Sequence, residues 1–160
     1  MLVLGGEKSG KSAFARRVAK DYANVLCLVT MAPVNESVYF QHVCSRPIEW
    51  DVLEEPVALA ICLLSNADAY DLIVLDDIGV WLSNVIALKM NVYYEIDCVL
   101  DALCRLKAKL VISKELGLGM LSNSVLALEY VNLLNCVNQL LARTLNSAYF
   151  VIAGQAVKIK

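Results

Sequence analysis

Met1-Leu2-Val3-Leu4-Gly5-Gly6-Glu7-Lys8-Ser9-Gly10-Lys11-Ser12 decides the fold. Four apolar residues run into a glycine-rich turn, and a helical pattern follows. Gly5, Gly10, Lys11 and Ser12 satisfy the spacing G-x-x-x-x-G-K-[ST],. Each position has a physical task. The glycines let the backbone wrap around a phosphate with its N–H groups pointing inward. A helix starting near Lys11 points the positive end of its dipole at the same anion. Lys11 would reach the β- and γ-phosphates, and Ser12 would offer a hydroxyl to Mg²⁺. A strand before and a helix after are the context this motif requires, and the sequence supplies both.

Outward from that stretch, apolar runs alternate with helical patterns. The expected strands are Met1–Leu4, Val25–Thr30, Leu72–Asp76, Lys109–Ser113 and Ala148–Ala153, with a short last one over Ala156–Ile159. Most are continuous apolar runs, as in strands covered on both faces. The expected helices are Lys11–Tyr22, Leu53–Ser65, Val80–Leu88, Asn91–Leu106 and Ser122–Thr144. The last carries a stripe of Leu126, Tyr130, Leu133, Val137, Leu140 and Leu141,. Repeated strand–helix–strand units imply an α/β fold of three layers, with a mostly parallel central sheet and helices on both faces. The 160 residues suit one nucleotide-binding domain over 1–160,.

Composition narrows the function classes. Net charge is −2 and the cations are scattered, which argues against a nucleic-acid binder,. Arg105, Lys107 and Lys109 read as the end of a helix, where cations suit the dipole,. Hydrophobic residues make up 59%, yet no run of the length a membrane span needs is free of charge. The start lacks the basic residues and long apolar stretch of a signal peptide, so a cytoplasmic protein is expected. None of the six cysteines forms a C-x-x-C pair, and there is one His. A zinc site is therefore not expected, and the cysteines read mostly as buried small hydrophobes.

Two further features bear on chemistry. Leu72-Ile73-Val74-Leu75 ends in Asp76 and Asp77. An acidic residue at that place would hold Mg²⁺, and Asp76, directly after the run, is the candidate. The competing role for both is to cap the next helix. His42, with Arg46 four residues later, could be an ordinary surface or core residue, or could act on phosphate as base or nucleophile, with Arg46 neutralising charge,. The residues alone leave that choice open. Glu115 follows a strand end and could face nucleotide or metal, or else serve a turn,. Trp50 and Trp81 read as core, and Asn138 and Gln139 as partners for buried polar groups,.

Taken in order, these segments resemble the adenosylcobinamide kinase/adenosylcobinamide-phosphate guanylyltransferase family. The resemblance runs through Gly5–Ser12, His42 with Arg46-Pro47 and Trp50, Leu75-Asp76, and Trp81-Leu82-Ser83-Asn84. It continues in Glu115-Leu116-Gly117-Leu118-Gly119, Asn138-Gln139 and the ending Ala153–Lys160. It implies phosphorylation of adenosylcobinamide by ATP or GTP, then transfer of GMP from GTP to that phosphate through a guanylyl-histidine at His42. It also implies Mg²⁺ and a homotrimer. On this reading Lys11 joins His42 in catalysis. Gly5, Gly6, Glu7, Lys8, Ser9, Gly10, Lys11, Ser12, Arg46, Asp76 and Glu115 contact nucleotide, and Ser12 and Asp76 hold the metal. The sequence departs from the family pattern at Lys114, where Asn normally precedes the Glu, and at Leu121-Ser122-Asn123-Ser124. A simple small-molecule kinase, or a nucleotide-binding module without catalysis, remains as an alternative.

Overall fold

The computed structural model describes residues 1–31, 47–117 and 124–160. Seven strands form one sheet in the order β3-β2-β4-β5-β1-β6-β7. They are β1 (Leu2–Leu4), β2 (Val25–Val29), β3 (Asp51–Glu54), β4 (Leu72–Asp76), β5 (Lys109–Ile112), β6 (Ala148–Ile152) and β7 (Gln155–Lys158). All pairings are parallel except β6 with β7. The helices are α1 (Lys11–Ala19), α2 (Leu59–Ser65), α3 (Ile78–Ala87), α4 (Val92–Arg105) and α5 (Val125–Thr144).

Side-chain alternation along the strands separates two cores. Leu2, Leu26, Leu28, Ile73, Leu75 and Val111 point to one face and pack with residues of α2, α3, α4 and α5. Val3, Val25, Cys27, Val29, Val74, Leu110 and Ile112 point to the other and meet Ala15 and Ala19 of α1. Among the described residues, α1 is the one helix on that second face. Trp81 anchors the first core: it is fully buried, and its Nε1 donates to Val57 O at 2.9 Å.

The expected architecture holds, with four local corrections. The stretch 53–58 is not helical. Asp51–Glu54 adds β3 in parallel beside β2, and the helix begins only at Leu59, after Pro56. The strand signal was weak because all four β3 residues are exposed at the sheet edge, so no apolar alternation marks it. The C-terminal run closes as a hairpin: Ala153 and Gly154 have φ of 49° and 77°, the positive values a two-residue turn between twisted strands requires. In α5 the buried residues are Leu134, Val137, Asn138 and Leu141, whereas Leu126 is 77% exposed. The first turn of that helix runs past the edge of the core. Ser122, where this helix was expected to start, lies outside the described residues. Finally, of the described cysteines only Cys27, on β2, is buried; Cys62 and Cys98 are half-buried, and Cys104 and Cys136 are exposed. They sit on helix flanks that the core does not reach, and Cys44 lies outside the described residues.

By length and composition α5 is apolar enough to cross a membrane, the one such helix among the described residues. Here its inner residues pack against the first core. The expectation for the basic cluster is met in one detail, since Lys109 Nζ donates to Leu106 O, just past α4, at 3.0 Å.

Replacing Trp81 by Ala empties the largest fully buried position and leaves Val57 O without its donor. The expected cost is about 3–5 kcal/mol in urea unfolding. A loss below about 1 kcal/mol would contradict this account of the core.

Candidate functional site

β1 lies between β5 and β6, and β5 lies between β1 and β4. The C-terminal ends of β1, β4 and β5 therefore open side by side, where parallel α/β sheets bind ligands. A cleft of about 450 Å³ lies there, lined by residues 7–13 together with Arg16, Val29, Met31, Asp76, Asp77, Val80, Ile112 and Lys114.

The loop after β1 has the conformation the glycines were read to allow. Gly5 and Gly10 have φ of 156° and 103°, and Lys8 sits at 53°. A Cβ on Gly5 would run into Val151 O, and one on Gly10 would stand 3.0 Å from Gly154 Cα. Gly154 N donates to Ser9 O at 2.9 Å. The turn of the terminal hairpin thus braces the loop from behind, a role for Gly154 that the sequence reading did not foresee.

Lys11 is the first residue of α1 and is buried. Its Nζ donates to Gly5 O at 3.0 Å and to Gly6 O at 2.6 Å. The ammonium is folded back onto its own loop. Burial pushes its pKa below the ordinary lysine value, partly offset by the charges of Glu7 and Asp77.

The structure assigns the helix cap to one of the two aspartates. Asp77 caps α3: its Oδ1 accepts from Val80 N at 2.7 Å. Thr30 Oγ1 also donates to Asp77 O at 2.7 Å. Burial raises the Asp77 pKa, against the Val80 N–H and Lys114, which pull it down. Asp76 ends β4, lines the same cleft and is not the cap. Ser12 and Asp76 bring a hydroxyl and a carboxylate oxygen to one cleft, the donor type Mg²⁺ prefers,. Among the described residues, no group of three or more His, Cys, Asp or Glu could hold a metal.

Glu115 takes the turn role. Its Oε1 accepts from Gly117 N at 2.7 Å and its own N–H donates to Gly5 O at 3.2 Å, but it does not line the cleft. Asn138 is buried, accepts from Ser113 Oγ at 2.6 Å and donates to Lys114 O at 3.1 Å, as expected of a partner for buried polar groups. His42 and Arg46 lie outside the described residues. Lys114 enters the cleft without having been predicted to. The available signal was its place two residues beyond the apolar run Leu110–Ile112, at the carboxyl end of a strand.

The sequence model of a family described as cobinamide kinase / cobinamide phosphate guanyltransferase matches residues 1–159. The chain belongs to this family. Its curated relatives include the bifunctional adenosylcobalamin biosynthesis protein CobP of Pseudomonas aeruginosa, 30% identical over 99% of this chain and 96% of that one. The bifunctional adenosylcobalamin biosynthesis protein CobU of Escherichia coli is 26% identical over 100% and 99% of the two chains. A likeness in fold alone reaches the flagellar accessory protein FlaH of Methanocaldococcus jannaschii, with TM-score 0.53, 13% identity and coverage of 99% of this chain and 76% of that one. The cobinamide kinase / guanyltransferase family is one of nucleotide-using transferases, and the cleft has the cations and glycine loop that such a nucleotide requires.

Gly10 and Gly6 make a paired test. Gly10→Ala places a Cβ at positive φ against Gly154 and should cost about 1 kcal/mol or more, with weakened nucleotide binding. Gly6→Ala meets nothing within 4 Å and should leave stability and binding nearly unchanged. Equal effects of the two substitutions in thermal melts and GTP titrations would contradict the loop geometry.

Proposed function

We propose that this protein phosphorylates adenosylcobinamide and then transfers GMP from GTP to the resulting phosphate, giving adenosylcobinamide-GDP. The observation that carries the reading is the glycine loop with Lys11 opposite Asp76 in one cleft, in a chain whose whole length matches the kinase/guanyltransferase family.

In the first reaction the substrate hydroxyl attacks the γ-phosphorus of ATP or GTP. The bond to the β-phosphate oxygen breaks, ADP or GDP leaves, and the hydroxyl proton passes to solvent. Lys11 leaves the Gly5 and Gly6 carbonyls and donates to β- and γ-oxygens, offsetting the charge that builds there. The loop N–H groups and the start of α1 hold the remaining phosphate oxygens. Glu7, Lys8 and Ser9 supply the backbone of that cradle. Mg²⁺, held by Ser12 and Asp76, would neutralise phosphate charge. In the second reaction a ring nitrogen of His42 attacks the α-phosphorus of GTP and pyrophosphate leaves. The phosphate of adenosylcobinamide phosphate then attacks the guanylyl phosphorus and frees His42. Arg46 would neutralise phosphate charge during that transfer. Glu115, tied to the turn at Gly117 and to Gly5 O, supports the loop from the β5 side in this scheme. A single domain, a homotrimer and a cytoplasmic location complete the reading.

Incubation with GTP labelled at the α-phosphate tests it. Wild-type protein should acquire label, and His42→Ala should acquire none while still phosphorylating adenosylcobinamide. Lys11→Ala should lower both reactions by roughly a hundredfold or more. Labelling that persists in His42→Ala would remove the guanylyl-histidine and leave a small-molecule kinase.

A further inference from the structure

Two cations that line the cleft, Arg16 and Lys114, have no part in the scheme above, and Lys114 is the one at the strand ends. Lys114 follows β5, between the ends of β1 and β4. Its Nζ lies 3.0 Å from Glu7 Oε2 and 3.9 Å from Asp77 Oδ2. It spans the gap between the phosphate loop and the start of α3.

The main chain beneath it is fixed on both sides. Asn138, itself held by Ser113, donates to Lys114 O, and the next N–H is bound to Gly5 O. The ammonium, by contrast, stands at the tip of a long stem with a 30% exposed side chain. Its partners hold it unequally. The Glu7 side chain is 67% exposed, so water screens that pair. Asp77 is buried, but its other oxygen already serves the α3 cap. Burial would lower the pKa of Lys114, yet the hydrogen bond to Glu7 and the charges of Asp77 and Glu7 outweigh it and hold the group above the ordinary lysine value. Lys114 is therefore a charged, solvent-reachable and movable cation over a rigid base.

A triphosphate seated in the loop places its α- and β-phosphates within the backbone cradle and its terminal phosphate toward the β4 carboxylates. That phosphate enters the gap Lys114 bridges, carrying more charge than a single screened carboxylate. We propose that Lys114 is a second phosphate-binding cation, parked on Glu7 and Asp77 in the empty cleft and transferred to the terminal phosphate of a bound nucleoside triphosphate. This rests on the nucleotide-binding reading and adds to it a means of telling triphosphate from diphosphate. Lys11 keeps the β-phosphate as a partner in both ligands, whereas Lys114 reaches only the group that the triphosphate alone has.

Calorimetric titration of the full chain with GTP and with GDP, both with Mg²⁺, tests it. Lys114→Gln should weaken GTP roughly ten- to hundredfold, the factor expected for one charge-assisted hydrogen bond, and GDP less than about threefold. Lys114→Arg keeps the charge and should retain most of the GTP affinity. Glu7→Gln removes the parking partner and should tighten GTP more in the wild-type background than beside Lys114→Gln. Equal losses of GTP and GDP in Lys114→Gln, or no loss, would overturn this inference alone. Wild-type protein that binds neither nucleotide, or a Lys11→Ala variant that binds both normally, would overturn the nucleotide site itself and this inference with it.

Discussion

The rest of the structure depends on the parallel adjacency of β1, β5 and β4. Their backbone registers, Leu2 opposite Val111 and Leu75 opposite Val111, bring three C-terminal ends into line. From those ends come the phosphate loop, Lys114, and the pair Asp76 and Asp77. None of these groups is near another in sequence: Glu7 and Lys114 are joined only because β1 and β5 are neighbours. Burial of Leu2, Val3, Leu75, Val111 and Ile112 on both faces of the sheet fixes that adjacency, so apolar packing sets the geometry of a polar site.

Charge in the cleft is balanced rather than uniformly positive. Lys11 rests on two carbonyls, and Lys114 rests on two carboxylates. Both arrangements give each buried or half-buried cation a partner, which a low-dielectric environment demands. Both partnerships are also exchangeable. A phosphate can take the place of a loop carbonyl at Lys11 without unpacking any core residue. Ligand binding then trades one set of partners for another in a preformed scaffold, which limits the ordering cost. The braces behind the loop, Gly154 on Ser9 and Glu115 on Gly5, keep the backbone in place during the exchange.

Much of this was legible in the sequence. Gly5, Gly10, Lys11 and Ser12 carry their spacing in local order, and the apolar runs for β1, β2, β4 and β5 are long enough to be read without tertiary context. The family resemblance rested on segments of the same kind. What escaped was set by contacts distant in the chain. β3 is exposed and becomes a strand only because β2 presents an open edge to it. The burial stripe of α5 depends on where the core ends, so Leu126 looked like core and is not. That Asp77 and not Asp76 is the cap depends on where α3 starts, with Asp77 alone between the end of β4 and Ile78. Lys114 gave no sign of its partners, since Glu7 lies over a hundred residues away.

The most direct test of the central claim is a crystal structure of the full chain with Mg²⁺ and a non-hydrolysable GTP analogue. The account predicts α- and β-phosphates inside the loop of residues 5–12, with the γ-phosphate toward the end of β4. It also predicts Lys11 Nζ moved from the Gly5 and Gly6 carbonyls onto phosphate oxygen, and Asp76 facing the metal. Nucleotide bound elsewhere, with Lys11 still on those carbonyls, would contradict it.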